Sequence, residues 1–172
     1  MSLTFRPATT LDIPPLLSLI VSAYRGPESR AGWTTEADLL ADERISPPPW
    51  KPKSPTPMSG SEDASSGLVA CCEIVRKDDE RAYFGLFAVS PKLQAGGIGR
   101  QVLQQAEEYA KKEWGTKIMT MTVIWTRDEL IAWYMRRGYA RTGEKSPFPY
   151  AELYNGKALR DDLYFDHLEK AL

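Results

Sequence analysis

The chain carries one histidine, two cysteines and almost no excess of either charge, with 22 basic and 23 acidic side chains among 172 residues. Each scarcity excludes something. Because the charges nearly cancel, no net field draws the protein to a phosphate backbone or an anionic membrane, so neither nucleic acid nor membrane is an expected partner. Cys71 and Cys72 are adjacent and on a strand would point to opposite faces. They make neither a disulfide framework nor a metal site, which suits a reducing, cytoplasmic compartment. The longest apolar stretches, such as Leu16 to Val21 interrupted by Ser18, fall far short of the roughly 20 residues that cross a bilayer. No basic segment leads into an apolar core at the N-terminal MSLTFRPATT, so no signal peptide is expected. The lone His167 reads as a structural or surface residue. What is present is a 42% hydrophobic composition, enough to bury one core, and a single domain over 1–172 is expected.

The pattern along the chain alternates. LTFRPA is a strand candidate, and Thr9 or Thr10 can cap a helix carrying Leu11, Leu16, Leu17, Ile20 and Val21 near helical spacing, with Pro14 and Pro15 tolerated in its first turn. WTTEADLLADER has the acidic first turn of a second, short helix. Residues 46–67 hold six prolines and six serines and are expected to form a loop insert. GLVACCEIV and RAYFGLFAVS flank the charged turn RKDDE as an antiparallel hairpin. A helix over about 97–113 places Ile98, Val102, Leu103, Ala106 and Tyr109 on one face. KIMTMTVI follows as a strand, RDELIAWYMRR as a short helix stopped by Gly138, and YARTGE and LYFDHLE as the last strands. The fold class is therefore α/β, with a mixed, largely antiparallel central sheet flanked by helices.

Three glycines, Gly96, Gly97 and Gly99, stand between the second hairpin strand and the long helix. The first amides of a helix lack intrahelical partners, and the helix dipole adds partial positive charge there. Glycines let such amides converge on an anion, and Arg100 adds a full charge. Neither standard phosphate fingerprint is complete: no Lys-Ser or Lys-Thr follows, and no third spaced glycine closes a dinucleotide pattern. The glycines alone would equally serve a tight turn that binds nothing.

FAVSPKLQAGGIGRQVL resembles the acetyl-coenzyme A motif of the GNAT N-acetyltransferase superfamily, with Gln94, Gly97 and Gly99 at the motif positions. FRPATTLDIPPLL is similar to the opening strand and helix of that family, and LIAWYMRRGYARTGE to its late helix and strand. The resemblance implies a sheet that splays beside the glycine loop to admit acetyl-CoA as cosubstrate, with no metal. It places the pantetheine arm along Phe87, Ala88 and Val89, and the pyrophosphate on the amides of Leu93 to Arg100, a stretch that includes Gln94, Ala95, Gly96, Gly97, Ile98, Gly99 and Arg100. An N–H near Phe87 or Ala88 would face the oxyanion if the strand bulges there. Tyr134 matches the family's general-acid tyrosine, and a phenol can protonate a departing thiolate. At Arg127, seven residues earlier, many members have Asn, so Arg127 takes the place of one cofactor contact. The family also has a strand before the hairpin, where this chain has its proline-rich insert, so that second strand is expected to be missing or very short.

Glu36 and Glu73 are the candidate general bases, acting directly or through water. Trp33, Glu36, Phe148 and Tyr150 are the expected acceptor-site residues; aromatic walls with one carboxylate suit a small-molecule amine with an apolar or flat body. The resemblance thus implies an acyltransferase moving acetyl to a primary amine. A protein or peptide acceptor, and a non-catalytic acyl-CoA-binding module, stay open as alternatives, as does a homodimer.

Overall fold

A computed structural model of the chain describes residues 3–25, 27–32, 35–41, 57–63, 67–94, 96–153 and 157–172. Ten strands and three α-helices occur among them. In chain order they are β1 (Thr4–Pro7), α1 (Ile13–Tyr24), β2 (Leu40–Ala41), β3 (Pro57–Asp63), β4 (Gly67–Leu68), β5 (Ala70–Arg76) and β6 (Arg81–Val89). There follow α2 (Ile98–Trp114), β7 (Ile118–Ile124), α3 (Asp128–Met135), β8 (Ala140–Pro147), β9 (Lys157–Ala158) and β10 (Tyr164–Ala171). The main sheet runs β1-β3-β5-β6-β7-β10-β8 with β4 beside β3, and β2 pairs with β9 in a separate ladder. Every neighbouring pair is antiparallel except β6 with β7, whose parallel crossover is α2. This is the mixed, largely antiparallel α/β sheet expected.

The helices form where capping and periodicity agree. Asp12 takes hydrogen bonds from the Thr9 N–H (2.7 Å) and the Thr9 hydroxyl (2.9 Å), closing the turn that leads into α1. Pro14 and Pro15 lie in the first turn of α1, where their missing amides cost nothing. That helix buries Leu16, Leu19, Ile20, Ala23 and Tyr24, with Cys71 and Ala88 in the same cluster. Leu11 is instead exposed in the 3-10 turn ahead of the helix. On the opposite sheet face α2 buries Ile98, Val102, Leu103, Ala106 and Ala110, while Tyr109 is half-buried, edge-on to Trp114. Cys72 belongs to this larger core and Cys71 to the α1 side, so the pair does point to opposite faces. No helix among the described residues is long and apolar enough to cross a membrane.

Two expectations are corrected. WTTEADLLADER does not continue as a helix over its described part: Leu39 and Leu40 both bond Glu36 O, making a single turn. The chain then extends, because Leu40 and Ala41 pair with Ala158 and Lys157. The insert expected at 46–67 contains β3, which pairs with both β1 and β5. Ladder bonds from two flanking strands, rather than local composition, make 57–63 a strand, and the strand thought to be missing is supplied here.

The position of the site follows from one feature of the sheet. The β6–β7 register holds for Arg81↔Ile118, Ala82↔Met119 and Tyr83↔Thr120. Beyond it β6 continues to Val89 and β7 to Ile124, and the two strands part.

Candidate active site

At the fork Leu86 adopts φ +44. The β5–β6 register slips there: Cys71 faces Ala88 and Glu73 faces Gly85, so Leu86 and Phe87 together oppose Cys72. This is a β-bulge, with a leucine in backbone space that strongly favours glycine. Tyr24, at the end of α1, donates its hydroxyl to Phe87 O at 2.7 Å and fastens the bulge to the helix. The bulge on which the oxyanion expectation depended is therefore present.

A cleft of about 300 Å³ opens beside it, bounded by 87–89, the glycine loop, Arg127, Trp133 and Tyr134. Gly97 is the N-cap of α2 at φ +77, and a Cβ placed on it would meet nothing within 4 Å. The first intrahelical bond runs from Gln101 N–H to Gly97 O at 3.2 Å. The amides of Ile98, Gly99 and Arg100 precede it, at the cleft that these residues line. Gly99 serves a different purpose: its Cβ would stand 3.2 Å from Phe87 Cζ, so its absence lets α2 press against β6. Gln94 Nε2 donates to Val89 O at 3.3 Å, tying the loop to the strand. The amide of Leu93 bonds Ser90 O at 2.9 Å, which withdraws it from the anion-binding set expected over Leu93 to Arg100. Gly96 is exposed, and Ala95 lies outside the described residues.

Across the cleft, Tyr134 is 4% exposed on α3 and borders both this cleft and a second cavity of about 120 Å³. Burial pushes its phenol well above the ordinary value; Tyr24 adds to the rise and the Arg127 guanidinium opposes it. Glu36 stands in the wall of the second cavity, its side chain 5% exposed. Arg127 Nη1 donates to its Oε1 at 2.7 Å and Arg25 Nη2 to its Oε2 at 3.2 Å. Both oxygens accept from guanidiniums, which suits Glu36 to pinning residues 35–41 rather than to taking protons. Arg127 borders both cavities.

The other expected residues are placed as follows. Phe148 is buried and lines the second cavity, 5.4 Å from Phe165. Tyr150 lines neither cavity; its ring is 5.0 Å from Phe148 and its hydroxyl accepts from Leu163 N–H at 2.7 Å, so it buttresses the wall from behind. Glu73 is half-buried on β5 opposite Gly85 and lines neither cavity. Trp33 lies outside the described residues. His167, on β10, shares a 2.8 Å hydrogen bond with Ser146.

Sequence reasoning missed Tyr24, Arg25, Trp133 and Arg137. The Arg137 guanidinium lies 3.5 Å over the Trp133 ring at the cleft. Their i, i+4 spacing was a usable signal for that stack. Tyr24 and Arg25 gave none, since a helix end facing a bulge 63 residues away leaves no periodicity.

A forked α/β sheet with a glycine-capped helix at the fork and a buried phenol across the cleft is the arrangement that the resemblance to the acyl-CoA-dependent acetyltransferases implies. The chain matches the model of the Acetyltransferase (GNAT) family over residues 18–139 and belongs to that family. Its cosubstrate is acetyl-CoA, and the open space over Gly97 with the amides at the start of α2 fits that group's anionic end. A comparison with curated protein sequences found no match. Among solved structures the chain is similar to an IAA acetyltransferase from Bacillus cereus (15% identity, 99% of this chain and 100% of that one, TM-score 0.64). It is also similar to a GNAT family acetyltransferase from Elizabethkingia anophelis with acetyl-CoA bound (16% identity, 99% and 98%, TM-score 0.67). A third is the spermidine/spermine N-acetyltransferase from Vibrio cholerae in complex with manganese ions (14% identity, 98% and 92%, TM-score 0.66).

Proposed function

We propose that this single-domain protein transfers the acetyl group of acetyl-CoA to the primary amine of a small molecule by direct attack on the thioester. The observation that carries the reading is Tyr134, a buried phenol standing where the 300 Å³ cleft meets the 120 Å³ cavity. Acetyl-CoA supplies the acetyl group already activated. The amides of Ile98, Gly99 and Arg100 hold its anionic end, with the Arg100 guanidinium beside them. Phe87 and Ala88, at the bulge, present backbone to the carbonyl. Tyr134 keeps its proton at neutral pH and gives it, from the phenol oxygen, to the departing sulfur. The acceptor's own proton leaves through water, which relays it to Glu73 outside the two cavities.

The acceptor occupies the second cavity, whose size rules against a peptide chain. Solved structures of similar fold include a spermidine/spermine N-acetyltransferase, which supports an amine of small-molecule size. The test is a screen of amines for thiol release from acetyl-CoA, with the acetylated product read by mass spectrometry. Binding of CoA without turnover of any amine would instead favour a non-catalytic acyl-CoA-binding module.

A further inference from the structure

Most polar side chains in the lining of the second cavity are already engaged. Tyr24 donates to Phe87 O, Glu36 accepts from Arg25 and Arg127, and Tyr134 is the proton donor of the proposed reaction. Two hydroxyls remain in that lining, those of Tyr83 and Thr122, 2.9 Å apart. They meet across the fork. The last pair in the parallel register is Tyr83 with Thr120, so Thr122 lies two residues further along β7, where it has begun to leave β6. Gly85 makes room for the contact: a Cβ on it would stand 2.6 Å from Tyr83 Cε1, so the ring can lie against the glycine while its hydroxyl reaches β7. The pair carries two hydroxyl hydrogens, and its own bond uses one. The other has no acceptor among the described residues.

From this we infer that the acceptor is a small primary amine bearing an uncharged oxygen, as a hydroxyl, ether or carbonyl, and that the Tyr83–Thr122 pair selects it by donating one hydrogen bond to that oxygen. The inference rests on the proposed N-acetyltransferase reading, with the amine at Tyr134. Tyr83 and Tyr134 line the same cavity of about 120 Å³, so a molecule of a few heavy atoms spans the space between them. Tyr83 also adds to the rise in the Tyr134 phenol, which places the two within electrostatic reach. A hydrocarbon amine entering this space takes water from the remaining O–H and offers nothing in return, whereas an oxygen replaces the lost water. Sites that hydrogen-bond a substrate discriminate against an analogue lacking that group far more strongly than an apolar pocket discriminates by one methylene. The pair acts on specificity, since neither hydroxyl is needed for the proton that reaches the sulfur.

The experiment measures thiol release by the full chain at saturating acetyl-CoA with two isosteric pairs, 2-methoxyethylamine against butylamine and 3-methoxypropylamine against pentylamine. Concentrations are counted as free amine, because the ethers are less basic. In one pair or both, wild-type kcat/KM should favour the ether roughly tenfold or more. Tyr83→Phe combined with Thr122→Val removes both hydroxyls while keeping their shape, a change that leaves no donor unmet and is expected to fold. Thermal melts and CoA affinity check this, and the double variant should bring the preference to within about threefold of unity. Equal turnover of ether and alkyl amine by the wild type in both pairs would overturn the inference while leaving the acetyltransferase reading in place. A preference retained in the folded double variant would overturn the role of the hydroxyl pair. If none of the four is turned over, calorimetry on the CoA-bound protein decides: tighter binding of an ether than of its isostere upholds the inference, and equal or absent binding overturns it. The acetyltransferase reading is then judged separately, by the wider amine screen.

Discussion

Single side chains divide the labour at this site by where they are buried and what they touch. Tyr134 is held edge-on by Trp133 at 5.0 Å and Tyr139 at 5.8 Å, so Tyr134→Phe keeps the packing and removes one proton. Its kcat should fall roughly 10²-fold or more with acetyl-CoA affinity within a few-fold; single-turnover kinetics and calorimetry check the two halves. Asp12 gives a pH-dependent stability. Arg6 donates to both its oxygens at 2.7 Å, and this pair, with the Thr9 bonds, holds its carboxyl well below the ordinary value. A folded-state value below the unfolded one stabilises above the unfolded value, and the gain is lost as pH falls through the folded one. Asp12→Asn should therefore cost about 1–2 kcal/mol at pH 7, and in denaturant titrations the difference should begin to shrink only as pH falls below the ordinary carboxylate value. Tyr134 was legible in the sequence because its spacing to Gly138 is local. Arg25 was not, since its meaning depends on a carboxylate 11 residues away meeting Arg127 from a distant loop.

At the level of elements, strong periodicity was readable and borrowed structure was not. The glycine-capped α2, the hairpin β5–β6 and the late strands follow from spacing and turn residues near at hand. β3 follows from its neighbours: Ser59 pairs with Arg6 on one side and Cys71 on the other. Ser59→Pro removes a ladder amide between two strands and should destabilise the fold by about 3 kcal/mol or more, seen as an early chemical unfolding midpoint. An unshifted midpoint would return 57–63 to the status of a loop. The N-cap of α2 is tested by Gly97→Ala. A φ of +77 strains any side chain, by about 1–2 kcal/mol, and the new methyl takes up open space at a residue that lines the cleft. Coenzyme A affinity should drop by an order of magnitude or more while α2 stays helical by circular dichroism. The bulge at Leu86 had no sequence signature, because a leucine at positive φ is imposed by packing on both sides rather than chosen locally.

For the molecule as a whole, the consequential arrangement is a sheet of two parts joined at one end and pinned at the other. Glu36 is the pin, tying the segment after α1 to the loop before α3 through Arg127. Glu36→Ala would remove both of these ion pairs from a buried site and should cost about 3–5 kcal/mol. Glu73→Ala, at a half-buried position, should cost little stability and act on the rate instead, so thermal melts paired with rates separate the two carboxylates.

The short parallel register at 81–83 and 118–120 makes the fork behave as a pair of tweezers. Ala82 and Met119, both 0% exposed, sit at the pivot. Beside them Thr120 Oγ1 donates to Ala82 O at 3.0 Å, and the Tyr83 and Thr122 hydroxyls meet at 2.9 Å. A small change in tilt at the pivot is magnified along the diverging arms, so the gap between Val89 and Ile124 responds most. The width of the mouth is thus expected to respond to residues outside the cleft lining. Crowding the pivot, as with Ala82→Val, would be expected to alter cofactor affinity from a distance while leaving every residue of the cleft unchanged in identity.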